Sequence, residues 1–121
     1  MNEHFVGRLE EIPRETCLLV QVHDRAVGVL RVGDRLHAFE NRCLHQGGPV
    51  CMGRVLGKLE EILAGDHSVI GERFSKEELH LICPWHGWEY DIETGECVAD
   101  RRLRLKKYQV IVKGGDVYVL A

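Results

Sequence analysis

The chain has 121 residues, a formal net charge of −3, 45% hydrophobic and 29% charged residues, and five cysteines. That balance fits one domain with one modest apolar core and offers no basic face for nucleic acid or anionic lipid. No apolar run reaches membrane-span length, and Met1-Asn2-Glu3-His4 lacks the start of a secretion signal, so a cytoplasmic location is expected.

In chain order, residues 1–14 read as a short first strand or a loose terminus. Thr16–Val22 is aliphatic and β-branched, His23-Asp24-Arg25 is a turn, and Ala26–Val32 is a second strand. Gly33-Asp34-Arg35 turns the chain again and Leu36–Phe39 is a third strand, so the first third is an antiparallel meander. Asn41-Arg42 then leads into Cys43-Leu44-His45-Gln46-Gly47-Gly48-Pro49. Residues 52–78 carry Leu56, Leu59, Ile62 and Leu63 on one helical face, and Gly65-Asp66 would stop such a helix. This segment reads as an excursion with one short helix. His80-Leu81-Ile82 is strand-like and runs into Cys83-Pro84-Trp85-His86-Gly87-Trp88. Glu89–Ile92 leaves as a strand, and Glu93-Thr94-Gly95-Glu96 is a tight turn. Leu103 and Leu105 alternate with Arg102, Arg104 and Lys106 as in a half-buried strand, continued by Tyr108, Val110 and Val112. Lys113-Gly114-Gly115-Asp116 turns into a last strand, Val117–Leu120. The expected fold is all-β and mostly antiparallel.

Two loops each hold one thiol and one imidazole: Cys43 with His45, and Cys83 with His86. Two cysteines and two histidines make a metal site. Zinc accepts such a set, but its usual spacing groups Cys with Cys and His with His. A two-iron cluster suits mixed loops better: with both thiolates on one iron and both imidazoles on the other, each loop must reach both irons.

These motifs resemble the two cluster loops of Rieske [2Fe-2S] proteins. The similarity extends through Gly47 and Pro49, and downstream through Tyr90-Asp91, Thr94-Gly95, Leu105, Tyr108, Val110, Val112, Gly115 and Val117. It covers about residues 15–54 and 79–120. It implies a single Rieske-like β-sandwich domain over residues 1–121. The cluster-binding subdomain would have loops at about 41–54 and 80–91, and an insertion would occupy about 54–78. It implies one Rieske-type [2Fe-2S] cluster held by Cys43, His45, Cys83 and His86, with no catalytic residue. The 37 residues between His45 and Cys83 exceed the usual family gap. Rieske proteins of cytochrome complexes join their loops by a disulfide whose second cysteine stands where this chain has Trp85. Cys51 is accordingly read as unpaired, and Cys17 and Cys97 as structural thiols.

With two thiolates rather than four, an electron would enter a neutral site instead of an anionic one, which raises the potential, and Rieske centres span about −150 to +300 mV. High-potential members have a serine where this chain has Trp88. Tyr90 matches a position whose hydroxyl reaches a cysteine sulfur. One donor retained and one lost points to the lower half of that range. Gly47, Gly48 and Gly87 would let backbone close around the sulfides. His4, His23, His37, His67 and His80 read as surface or packing residues, and Arg101–Lys107 as a solvated basic face.

The chain looks most like the small ferredoxin component of a multicomponent, ring-hydroxylating oxygenase. Such a component is a one-electron carrier between a flavin reductase and a terminal oxygenase, and binds neither nucleic acid nor membrane. The alternatives are a small cluster-bearing subunit of a larger reductase, as in nitrite reductase, and a structural zinc or sensing module.

Overall fold

The computed structural model describes residues 2–42, 47–84 and 87–121, without the side chains of 58–60 and 74–77. Among the described residues, nine strands form two sheets. They are β1 (Glu3–Arg8), β2 (Leu18–Val22), β3 (Arg25–Val32), β4 (Arg35–Glu40), β5 (Arg54–Leu63), β6 (Val69–Ile82), β7 (Glu89–Asp91), β8 (Lys107–Lys113) and β9 (Asp116–Leu120). The larger sheet has the order β1-β9-β8-β4-β3-β2, and the smaller is β5-β6-β7; every strand pair is antiparallel. The all-β expectation holds, and each strand expected in the meander, after the second loop and at the end is present.

The large sheet follows from alternation. Val27 and Val29 on β3, Ala38 on β4, and Val117 and Val119 on β9 are fully buried and pack with Ile12 and Val22 in one apolar cluster. A second cluster lies between the two sheets. It joins Leu30 and Phe39 of the large sheet to Val50, Cys51, Leu81, Cys83, Tyr90, Ile92, Cys97 and Leu105. The loop-bearing half of the chain is thus seated on the meander through shared side chains.

Two expectations are corrected. The segment at 54–78 holds no helix but a long hairpin, β5 and β6, and among the described residues there is no α-helix at all. The spacing of Leu56, Leu59, Ile62 and Leu63 mimics a helical face because the ladder shifts register between Gly57 and Leu59 and again at Ile62–Leu63. A bulge of this kind breaks the two-residue period. Gly65-Asp66 is not a helix stop but the hairpin's turn: His67 N–H donates to Ala64 O, and Asp66 Oδ1 accepts from both Ser68 N–H and Ser68 Oγ–H. Its partner strand supplies Val69, Ile70, Leu79, Leu81 and Ile82, which favour extended backbone.

The second correction concerns 102–106. It is a turn with one isolated bridge, Glu96 to Arg104, and β8 begins only at Lys107. Asp100 is the cause. Its carboxylate accepts from the Arg102 backbone and guanidinium, and its carbonyl accepts from Leu103 N–H. The basic stretch there is internally neutralised: Arg101 faces Asp91 and Glu96, Arg102 faces Asp100, and Arg104 faces Glu96.

His37, on β4, is 3% exposed, stacks on Phe39, and its Nε2 has no hydrogen-bond partner. Burial, together with nearby Lys107 and Arg35, pushes its pKa down to about 4 against the pull of Glu93. The folded state thus holds a neutral imidazole, while the unfolded chain protonates it below its usual 6.5. Stability from this group is complete above pH 6.5 and falls away between pH 6.5 and 4, by about 2–3 kcal/mol. Denaturant titrations at pH 7.5 and 4.5 should show this loss, and H37F should flatten it.

Candidate metal centre

Of the four expected ligands, only Cys83 lies among the described residues; Cys43, His45 and His86 lie outside them. Cys83 directly follows β6 and is 1% exposed. Its backbone N–H donates to Trp88 O at 2.8 Å, next to the ladder pair Ile82–Glu89, so the two ends of the second loop are tied together. Gly87 turns that loop with φ of 70°, and Gly47 turns the first loop with φ of 71°.

The first loop has a neck of its own. Cys51 N–H donates to Asn41 Oδ1 at 2.9 Å, across ten residues. Asn41 is itself fixed by donating its N–H to Ala26 O. Downstream of the neck, a 3₁₀ turn at Val50–Met52 closes on Gly53 N–H, which donates to Val50 O. The sequence reading missed both Asn41 and Gly53 as parts of the site. A polar side chain at the foot of a Cys-x-His loop was the only available signal for Asn41.

The two loops meet at Gly53. A side-chain carbon there would overlap the carbonyl oxygen of Ile82, the residue before Cys83, and would sit 3.2 Å from Pro84 Cδ. The end of the first loop therefore lies directly on the start of the second. The surroundings are apolar and dry. Cys83 shares its cluster with Val50, Tyr90 and Leu81, each at most 1% exposed, and Trp88 packs against the same group. Trp88 thus fills the packing role expected for it.

Beneath the second loop, His80 is 2% exposed and lies between two carboxylates. Its Nδ1 is 3.1 Å from Glu89 Oε1 and its Nε2 2.6 Å from Glu78 Oε2. The ring ties the end of β6 to β7 and so braces the strand that delivers Cys83. It is a packing histidine, as expected, but with ionic partners that the sequence did not indicate.

A buried thiol at the mouth of one closed loop, against a second closed loop bearing Cys and His, suits a metal-sulfur centre. The donor set expected from the sequence, Cys43, His45, Cys83 and His86, has the chemistry that a mixed-ligand two-iron cluster would need. Cys51 is a free thiol, as expected; it is fully buried and donates to Phe39 O at 3.7 Å.

Comparison with known proteins agrees with this chemistry. The family model for the Rieske [2Fe-2S] domain matches residues 2–109. A human Rieske domain-containing protein is 25% identical over 94% of this chain and 71% of its own length. One chain of a complex of reduced oxygenase and oxidised ferredoxin in carbazole 1,9a-dioxygenase is 26% identical. That match covers 96% of this chain and 99% of the other, with a TM-score of 0.68. A structure described as an NADH-dependent nitrite reductase small subunit from Mycobacterium tuberculosis covers 98% of this chain and 93% of its own. Its TM-score is 0.74, but at 16% identity it speaks to the fold alone.

Proposed function

Since the chain belongs to the Rieske [2Fe-2S] domain family, which carries one Rieske-type cluster per domain, we propose that it is a one-electron carrier between a flavin reductase and a terminal oxygenase. The observation that carries this reading is the seating of one closed loop on the other at Gly53, with Cys83 buried at the junction. The likeness to a chain of an oxygenase–ferredoxin complex supports the direction of flow. Cys43 and Cys83 would supply thiolates and His45 and His86 imidazoles to the cluster, which when bound would supply one-electron redox chemistry. The chain's own part is to hold these ligands on two braced loops, to keep water from the thiolates through Val50, Leu81 and Trp88, and to tune the potential. Tyr90, fully buried in the same apolar group as Cys83, is the residue assigned as hydroxyl donor toward a cluster sulfur. A cytoplasmic location belongs to the same reading.

An equilibrium redox titration followed by visible absorption tests the carrier role. One electron per chain is expected, with a midpoint in the lower half of the Rieske span of about −150 to +300 mV. A midpoint near its top would overturn the assignment of Trp88 and Tyr90. Affinity capture from the native cells tests the flow. Recovery with a flavin reductase and a non-haem oxygenase is expected. Stoichiometric recovery with a large reductase subunit would replace this reading by the reductase-subunit one.

A further inference from the structure

Cys17 and Cys51 are 34 positions apart, and neither is assigned to the cluster. Folding brings them to the two sides of one glycine. A methyl group at Gly28, on β3, would sit 2.6 Å from Cys51 Cβ and 3.1 Å from Cys17 Cβ. The two Cβ atoms are therefore at most 5.7 Å apart, and the about 3.5–4.5 Å that a disulfide requires lies within that bound. Only glycine at position 28 leaves room for both sulfurs. The Cys51 thiol donates to Phe39 O at 3.7 Å, and the neighbouring Cys17 thiol is among the groups that raise its pKa.

The two are not equivalent. Cys51 is 2% exposed, and Cys17, just before β2, is half-buried. The neighbouring Cys17 thiol and burial both raise the Cys51 pKa, so solvent reagents meet Cys17 first.

We propose that Cys17 and Cys51 form a reversible dithiol/disulfide site, a redox-modified staple separate from the cluster ligands. The oxidant class is a small soluble disulfide such as glutathione disulfide. The Cys17 thiolate attacks one sulfur of that reagent; the reagent's S–S bond breaks, and one small thiol leaves after taking up a proton. The Cys51 sulfur then attacks Cys17 Sγ, loses its own proton, and releases the second small thiol. Two protein thiols are oxidised by two electrons, and one small disulfide is reduced to two thiols. The fold brings the two partners to the same glycine before any oxidant arrives.

The staple acts on the first loop. Cys51 already closes that loop's neck through its backbone N–H on Asn41. A bond from its side chain to Cys17 fixes the same residue to the strand before the meander's first turn. Crosslinks that close long loops restrain the chain most. The oxidised form therefore holds the first loop more tightly, which slows iron release.

The experiment uses the cluster-loaded full chain. It is equilibrated with glutathione/glutathione disulfide mixtures, its remaining thiols are alkylated, and tryptic peptides are read by mass spectrometry. The expected result is peptide 15–25 crosslinked to peptide 43–54, with fragmentation placing the bond at Cys51 rather than Cys43. Dithiothreitol should reverse it. C17S, at a half-buried position, should lose the crosslink and keep the cluster's visible absorption. C97S, with a buried thiol elsewhere in the core, should retain the crosslink. A chelator challenge should show slower iron loss from the oxidised wild type and no such difference in C17S. Three results would overturn the proposal: a lasting glutathione adduct on Cys17 with Cys51 still alkylated, a crosslink to Cys43, or equal iron release in both redox states.

Discussion

C83S is expected to purify without colour. Cys83 is the one assigned ligand among the described residues, and it stands 1% exposed at the junction of both loops. Serine keeps the size but not the thiolate, so one iron loses a ligand and about two irons and two sulfides per chain fall to a small residue. The buried hydroxyl costs a further ~1–3 kcal/mol if it finds no acceptor. C97S is the control. Cys97 lies in the same apolar cluster and is also 1% exposed, but its N–H donates to Leu103 O, away from the loops. C97S should show a comparable stability loss with full absorption. Iron and sulfide assays, with a visible spectrum, separate the two. A C83S protein with normal iron content would remove Cys83 from the ligand set.

G53A is expected to be the most damaging single-carbon change in the chain. Gly53 has φ of −80° and ψ of −170°, a conformation any residue can adopt, so backbone strain is not the issue. The difficulty is that an alanine methyl would overlap the Ile82 carbonyl oxygen. That oxygen belongs to a strand backbone and cannot turn away as a side-chain tip would. Relief requires the end of the first loop to move off the second, which separates Cys43 and His45 from Cys83 and His86. A destabilisation of about 3 kcal/mol or more is expected, with poor cluster retention. G65A, in the hairpin turn, places its methyl in open space and should stay within about 0.5 kcal/mol of wild type. Chemical denaturation of both, alongside iron content, checks this. Wild-type iron retention in G53A would show that the apposition of the loops is not what assembles the site.

The legible parts of this protein were those with a local cause. β2, β3 and β4 could be read because aliphatic runs are separated by turn residues at His23-Asp24 and Gly33-Asp34. β8 and β9 could be read for the same reason at Gly114-Gly115. The family was legible because its two motifs place Cys and His at short, particular spacings. The hairpin was not, because Leu56, Leu59 and Ile62 satisfy a helix and a bulged strand equally; only the partner strand decides between them. The stretch 102–106 misled because Arg102, Leu103, Arg104 and Leu105 alternate perfectly while Asp100 folds them into a turn. The contact between Cys17 and Cys51 had no local signature. It exists only because β3 carries a glycine where β2 and the first loop converge.

The hairpin has a consequence for how this molecule opens. Along β6, β7 pairs with His80–Ile82, and among the described residues no third strand lies beside β5 and β6 from Leu79 outward. At the far end Leu63, Val69 and Ile70 are exposed. A two-stranded ribbon is marginal by itself in water. Unzipping can therefore begin at the turn and travel inward without disturbing the core, and it stops where the buried imidazole clamp of His80 begins. Amide exchange with solvent would be graded along the ribbon, fastest at its outer end and slowest beside the iron-binding loops, so that the part of the chain closest to the metal is the last to loosen.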